Sequence, residues 1–222
     1  MDNTQDLLAQ ARAAFAAAGH TIENVRRDFP EWHRGRPHYA LWALDVDTAP
    51  VRHAMQAAGA HLDGLLLDGY RRQAHITLAL CGFPCDTPQH ADDFSPATLA
   101  RQLDALEASG IGTFALHIGR LASFTSAPFL AVHDVDSGIA RLRRALTGSA
   151  AEPGGTYTPH VTVGLYAGAW PTVEVLPRLD AFEAGQPLRC TIDSVSLMRY
   201  AAPDIGGPLE TISRFRFGHG SG

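Results

Sequence analysis

The sequence predicts an α+β protein of two pseudo-symmetric lobes, each an antiparallel sheet with helices packed outside, and an active-site cleft between them. Three observations carry this prediction. A tetrapeptide of the form His, apolar, Thr, apolar occurs twice, as His75-Ile76-Thr77-Leu78 and His160-Val161-Thr162-Val163. The two copies stand 85 residues apart, the length of half a small domain, as duplication of a lobe gives. Strand patterns alternate with amphipathic helices around each copy. Chance gives roughly one His-x-Thr in a chain with 11 His among 222 residues, and the apolar requirement brings two hits to about one in a hundred.

The elements follow from local signals. Residues 4–18, with Thr4 as N-cap and Leu7, Leu8, Ala11 and Phe15 on one face, fit an Ala-rich helix closed by Gly19. Residues 20–37 carry Pro30, Pro37 and many charges and read as an irregular connector. His38 to Val46 is a buried strand, and Thr48 with Pro50 in the first turn opens a helix to about Gly59. Leu62 to Gln73 reads as loop with a short strand, before the first motif strand, His75 to Gly82. A Pro- and Asp-rich loop runs through residue 94, and Ser95-Pro96 caps a helix ending at Gly110.

The second half restarts with strands. Thr113 to Ala122 and Pro128 to Asp134 form a hairpin around Ser123-Phe124-Thr125-Ser126. Residues 137–147 are a helix ended by Gly148, and Gly154-Gly155 make a flexible loop before the second motif strand, Pro159 to Tyr166. Arg189 to Arg199 and Thr211 to Phe217 read as closing strands joined by the turn Ile205-Gly206-Gly207-Pro208. Residues 1–35 are expected as an N-terminal helical extension, and 36–222 as the two-lobed domain.

Bulk properties narrow the class. Hydrophobic residues make up 45% of the chain and charged residues 18%, which suits a globular protein with a substantial core. A net charge of −5 and a pI near 6.1 argue against a nucleic-acid coat protein, but leave room for an enzyme with a local cationic cleft. Cys81, Cys85 and Cys190 cannot all pair, and Cys81 with Cys85 lacks further ligands at zinc spacing, so reduced thiols are expected. The N-terminus has no basic start with an apolar run behind it, and no segment reaches the roughly 20 apolar residues of a membrane span. A cytoplasmic monomer with no membrane partner is expected.

In a strand, alternate side chains share a face, so His75 and Thr77 point one way and Ile76 and Leu78 the other; His160 and Thr162 stand likewise against Val161 and Val163. Two such strands offer two imidazoles and two hydroxyls to one cleft. Histidine can both take and give a proton near neutrality, and threonine hydroxyls can hold phosphoryl oxygens. This inventory suits acid–base chemistry on a phosphate ester. Plain β-propensity of Thr on a half-exposed strand is the competing reading.

The motifs, with Gly82-Phe83 after the first and Pro159 before the second, resemble those of the 2H phosphoesterase superfamily, in particular bacterial RNA 2′,3′-cyclic phosphodiesterases, long called 2′-5′ RNA ligase-like proteins. The resemblance extends over the strand His38–Asp45, the hairpin from Phe114 to Val132 and the tail from Ser194 to Phe217. Many bacterial members follow the second motif with Ala-Arg, where this chain has Gly164-Leu165, and the Arg71-Arg72 pair before the first motif is uncommon.

The resemblance implies a cyclic phosphodiesterase working on an RNA 3′ end or a small nucleotide carrying a cyclic phosphate. It implies His75 and His160 as the acid/base pair, either one as base, with Thr77 and Thr162 holding the non-bridging oxygens. No carboxylate cluster accompanies the motifs, so no metal or cofactor is expected. Arg199, Arg72 and Phe124 are further substrate-binding candidates: Arg199 to face the phosphate, Arg72 with Arg71 as a cationic lip, Phe124 to stack on a base. Each has a plain alternative, a solvated strand arginine, a surface pair or a core ring. Two further functions stand beside this one: action on another cyclic or 2′-5′ phosphodiester, and a nucleotide-binding module without turnover, for which an intact acid/base pair would be superfluous.

Overall fold

The computed structural model describes residues 3–148 and 157–218. The Gly154-Gly155 loop lies outside the described residues. The elements in chain order are α1 (Asn3–Ala17), α2 (Pro30–His33), β1 (His38–Asp45), α3 (Ala49–His61), β2 (His75–Pro84), β3 (Asp93–Phe94), α4 (Pro96–Ala108), β4 (Phe114–Ser123), β5 (Pro128–His133), α5 (Gly138–Thr147), β6 (His160–Thr162), α6 (Thr172–Asp180), β7 (Leu188–Ile192), β8 (Ser194–Ala201) and β9 (Glu210–Arg216).

They build two sheets, β3-β2-β1-β8-β9 and β6-β5-β4-β7, antiparallel apart from the short β2–β3 pair. Each motif strand belongs to a different sheet. The lobes are not consecutive halves of the chain, however: β8 and β9 return to the first lobe and flank β1. The expected closing strand 189–199 is therefore two strands in two sheets, broken at Asp193, whose carbonyl accepts from the Phe217 N–H at 2.9 Å. Along it the buried side chains step from Ile192 to Val195, three residues where an unbroken strand would need two.

One core joins the lobes. Trp42, Leu44, Ile76 and Leu78 from the first sheet and Leu116, Ile118, Leu130 and Val161 from the second are all buried in it, with Leu106 of α4 and Leu142 of α5. Leu78 is the extra residue of a bulge, since Thr77 pairs with Ala43 but Ala79 with Trp42. The Leu78 carbonyl, released from the ladder, accepts from Arg143 of α5, and the Arg143 guanidinium lies 3.5 Å from the ring centre of Tyr157. Tyr157 in turn donates to the Thr77 carbonyl at 2.7 Å. The first motif strand is thus fastened from the second lobe.

Several boundaries shift for local reasons. α4 starts as its cap predicts, with Ser95 Oγ accepting from the Thr98 N–H at 3.2 Å. α1 begins at Asn3, so Thr4 lies inside it rather than capping it. α3 runs past Gly59 to His61, residues 62–73 contain only an isolated bridge from Leu66 to Tyr166, and β2 continues to Pro84. Gly82, at φ 107°, sits where a Cβ would lie 2.2 Å from the Asp92 carbonyl, the group that accepts from Phe83 N–H.

The second motif strand is much shorter than expected. Beyond Thr162 the chain keeps single bonds to the hairpin, from Val163 N–H to the Pro128 carbonyl and from Tyr166 N–H to that of Ser126, while Leu165 and Ala167 bond to Leu67 and Leu65 of the first lobe. Residues 167–188, which carry no predicted element, contain α6, whose Val175 and Leu179 pack with Phe15 of α1 and with Tyr166.

Residues 1–35 hold to the domain through their described part. α1 lies against α6, β4 and β5 of the second lobe. The connector then crosses between lobes. Ile22 N–H donates to the Thr125 carbonyl at 2.7 Å, Asn24 binds the Ser126 and Tyr166 carbonyls, and Arg26 reaches the Asp68 carbonyl at 2.6 Å. It ends in α2, where Trp32 packs on Phe83 and Tyr39. Among the described residues no helix is long and apolar enough to cross a membrane.

Candidate active site

The pairing register decides what each motif residue faces. His75 is opposite Asp45 and Thr77 opposite Ala43, and Ala43 pairs with Ser196 of β8. His75, Thr77, Ala43, Ser196, Met198 and Tyr200 therefore share the face turned away from the core, while Ile76 and Leu44 face inward. In the second lobe His160 pairs with Ala131 and Thr162 with Phe129, leaving Val161 to the core beside Leu130. The two strands contact each other between the lobes, and His160 comes close enough to His75 for its charge to act on that ring.

The histidines are held alike. His75 Nδ1 lies 2.7 Å from the carbonyl of Gln73, and His160 Nδ1 lies 2.8 Å from that of Thr158, in each case two residues upstream. A carbonyl can only accept, so both Nδ1 atoms carry hydrogen. Each neutral ring is thereby fixed with a lone pair on Nε2, the atom left for chemistry.

Burial pushes the His75 pKa down to about 4, helped by the positive charges of Arg72 and His160 and opposed by the Gln73 carbonyl. His160 is also lowered by burial, against the pull of the Thr158 carbonyl, while the Arg72 charge bears on His75. The two rings thus sit in unequal fields.

Around them, Phe124 stands edge-on to the His160 ring at 4.9 Å and packs on Phe129 at 4.4 Å. The structure brings Phe124 to the site, in contact with the imidazole. Arg72 also comes to the site. Its guanidinium lies 4.2 Å from the ring centre of Tyr200, and Nε donates to the Gly207 carbonyl at 3.3 Å. No carboxylate among the described residues pairs with it, whereas Arg71 is bound to Asp204 and Arg52 to Asp47.

Arg199 is not brought to the cleft. It pairs in register with Ala40, on the opposite sheet face from His75, and its Nε donates to Glu210 at 2.8 Å. The alternation that turns Tyr200 toward the cleft necessarily turns Arg199 away.

The residue that sequence reasoning missed is Tyr70. It comes from the loop before β2, and burial pushes its pKa up to about 12, against the opposing influence of Arg72 and of the Thr162 hydroxyl of the other lobe. Its place beside the second motif depends on the cross-lobe pairing of residues 65–67 with 165–167, for which the sequence carries no periodic signal. The same pairing explains Gly164, where a Cβ would lie 3.1 Å from the Leu66 side chain. Among the described residues no group of three His, Cys, Asp or Glu side chains is placed to hold a metal ion.

No curated protein matches the chain. Crystal structures of E. coli LigT share the fold: the complex with 3′-AMP superposes with a TM-score of 0.51 at 15% identity, and that with ATP with 0.51 at 16%, each over 82% of this chain and 98% of LigT. The protein TT0787 of Thermus thermophilus covers the same share of this chain and 99% of its own, with a TM-score of 0.48 at 15% identity. The sequence profile of the 2′-5′ RNA ligase superfamily matches residues 46–204, a stretch that contains both motif strands. On that match, over well more than half of its length, the chain belongs to the 2′-5′ RNA ligase superfamily, the 2H phosphoesterases.

Proposed function

We propose that this protein is a phosphodiesterase that hydrolyses 2′,3′-cyclic phosphate at an RNA end or on a nucleotide. The observation that carries the reading is the matched pair of imidazoles, each locked by a carbonyl two residues upstream with Nε2 free for proton transfer.

The unequal fields divide the labour. His75, held neutral by burial and by Arg72, acts as base, and its Nε2 takes a proton from the attacking water. Oxygen adds to phosphorus as one P–O bond to the ribose breaks. His160 gives its Nε2 proton to the departing ribose oxygen, and the product is a phosphomonoester beside a free hydroxyl. The proton taken by His75 returns through solvent to His160, so the cycle closes with one water consumed. Thr77 and Thr162 donate to the non-bridging oxygens, and Arg72, with no carboxylate among the described residues to satisfy it, supplies the counter-charge that the second motif's Gly164-Leu165 lacks.

LigT has been crystallised with 3′-AMP, a nucleotide with the phosphomonoester such a reaction leaves, which supports the substrate class. The test is to follow a short RNA ending in 2′,3′-cyclic phosphate by ³¹P NMR. A phosphomonoester resonance replacing the cyclic one is expected. An unchanged cyclic resonance with active-site amounts of protein would overturn the assignment and leave another cyclic or 2′-5′ phosphodiester as the substrate.

A further inference from the structure

A cavity of about 440 Å³ adjoins the cleft where α3, the loop before β2 and the end of β6 converge. Tyr70 and Arg72 stand on its wall together with Gln73 and Ala74, which run directly into His75, and Val163, which directly follows Thr162. The cavity therefore opens from the site rather than lying apart from it.

Its lining is chemically divided. Met55, Gly59 and Val163 give an apolar floor, and Gln56 on the exposed side of α3 offers an amide. Arg52, Arg71 and Arg72 bring three guanidiniums; Arg52 is paired with Asp47 and Arg71 with Asp204, which leaves Arg72 without a carboxylate partner among the described residues. In a chain of net charge −5 this is a local excess of positive charge, placed where an anion would have to enter. An apolar floor, one amide and a cationic rim match a nucleoside with a phosphate attached, and the volume falls within the range of sites for ligands of that size, about 300–1,000 Å³.

We infer that this cavity is a second nucleotide subsite, which holds the nucleotide on the 5′ side of the one carrying the cyclic phosphate. The inference rests on the hydrolysis proposed above and narrows it: the preferred substrate is an oligonucleotide end, not a mononucleotide. The linking phosphate lies against the arginines, with the 5′-side nucleoside over Met55 and Gly59.

The test compares kcat/KM for adenosine 2′,3′-cyclic phosphate with that for a diadenosine dinucleotide ending in 2′,3′-cyclic phosphate. One charge-assisted contact is expected to favour the dinucleotide by about tenfold or more, mostly through KM. Gln56→Glu places a negative charge in the cavity on an exposed helix position, and Arg52→Ala removes one cation. Both variants should lose the dinucleotide advantage and turn over the mononucleotide within about twofold of wild type. Equal kcat/KM for the two substrates in the wild type would overturn the subsite, as would variants that slow both substrates alike. If neither substrate is turned over, it is the hydrolysis reading that fails. Calorimetry with the uncyclised dinucleotide 3′-phosphate then decides the subsite alone: binding weakened about tenfold in both variants upholds it, and unchanged binding overturns it.

Discussion

His75 should make the fold sensitive to mild acid, and the effect can be separated from that of the carboxylates. Its pKa is near 4 in the folded protein and about 6.5 in the unfolded chain. The unfolded state therefore binds a proton first as pH falls, so stability rises with pH across this interval. The contribution is complete above pH 6.5 and is lost progressively between 6.5 and 4. Over the whole window it amounts to roughly 3 kcal/mol, of which about 2 kcal/mol is gone by pH 5, before most carboxylates titrate. His160 acts in the same direction. Urea unfolding of wild type and His75→Gln at pH 7.5 and 5.0 isolates the difference. Glutamine keeps a donor for the Gln73 carbonyl but does not titrate. The wild type should lose about 2 kcal/mol more than the variant. Identical losses would refute the claim that a buried, neutral His75 is kept against protonation.

The remaining predictions concern the site and its supports. The pH profile of kcat/KM should be bell-shaped, with its maximum between about 4 and 6.5: the base His75 must lose its proton above about 4, and the acid His160 keeps its own only up to a lowered pKa. A maximum above pH 7 would contradict the lowering of both imidazoles by burial. Tyr70→Phe should lower kcat about tenfold and leave the unfolding midpoint near that of wild type, because it removes a buried hydroxyl beside Thr162; a change in KM alone would show that Tyr70 only packs. Arg143→Met leaves the Leu78 carbonyl without its side-chain donor at the joint between the lobes, at a cost of about 1–3 kcal/mol in urea unfolding, and an unchanged midpoint would show that this tie contributes nothing.

Much of the site was legible because strands write their two faces into alternate positions. His75 with Thr77, and His160 with Thr162, could be placed on one face each from period alone, and Ser95-Pro96 marked the start of α4. The same rule, followed one step further, would have placed Arg199 away from the cleft once Tyr200 and Met198 were assigned to it. The step from Ile192 to Val195 was also visible, and it marks where the chain changes sheets.

What could not be read depends on contacts distant in sequence. Residues 65–67 find 165–167 across the cleft and bring Tyr70 to Thr162, and no local pattern encodes that meeting. α6 was obscured by Pro171 at its N-cap and Pro177 inside it, although Thr172, Val175 and Leu179 lie at helical spacing and are buried. The connector 20–37 looked irregular because its first part takes its order from carbonyls on both lobes, and its one helix, α2, is a single turn.

The central claim is that two histidines from two lobes carry one acid–base reaction. The most direct measurement is turnover of a short RNA ending in 2′,3′-cyclic phosphate by wild type, His75→Ala and His160→Ala, each with EDTA and each checked for folding by circular dichroism. The account predicts ring opening by the wild type and losses of about a hundredfold or more in each variant. Folded variants that retain wild-type turnover would contradict it.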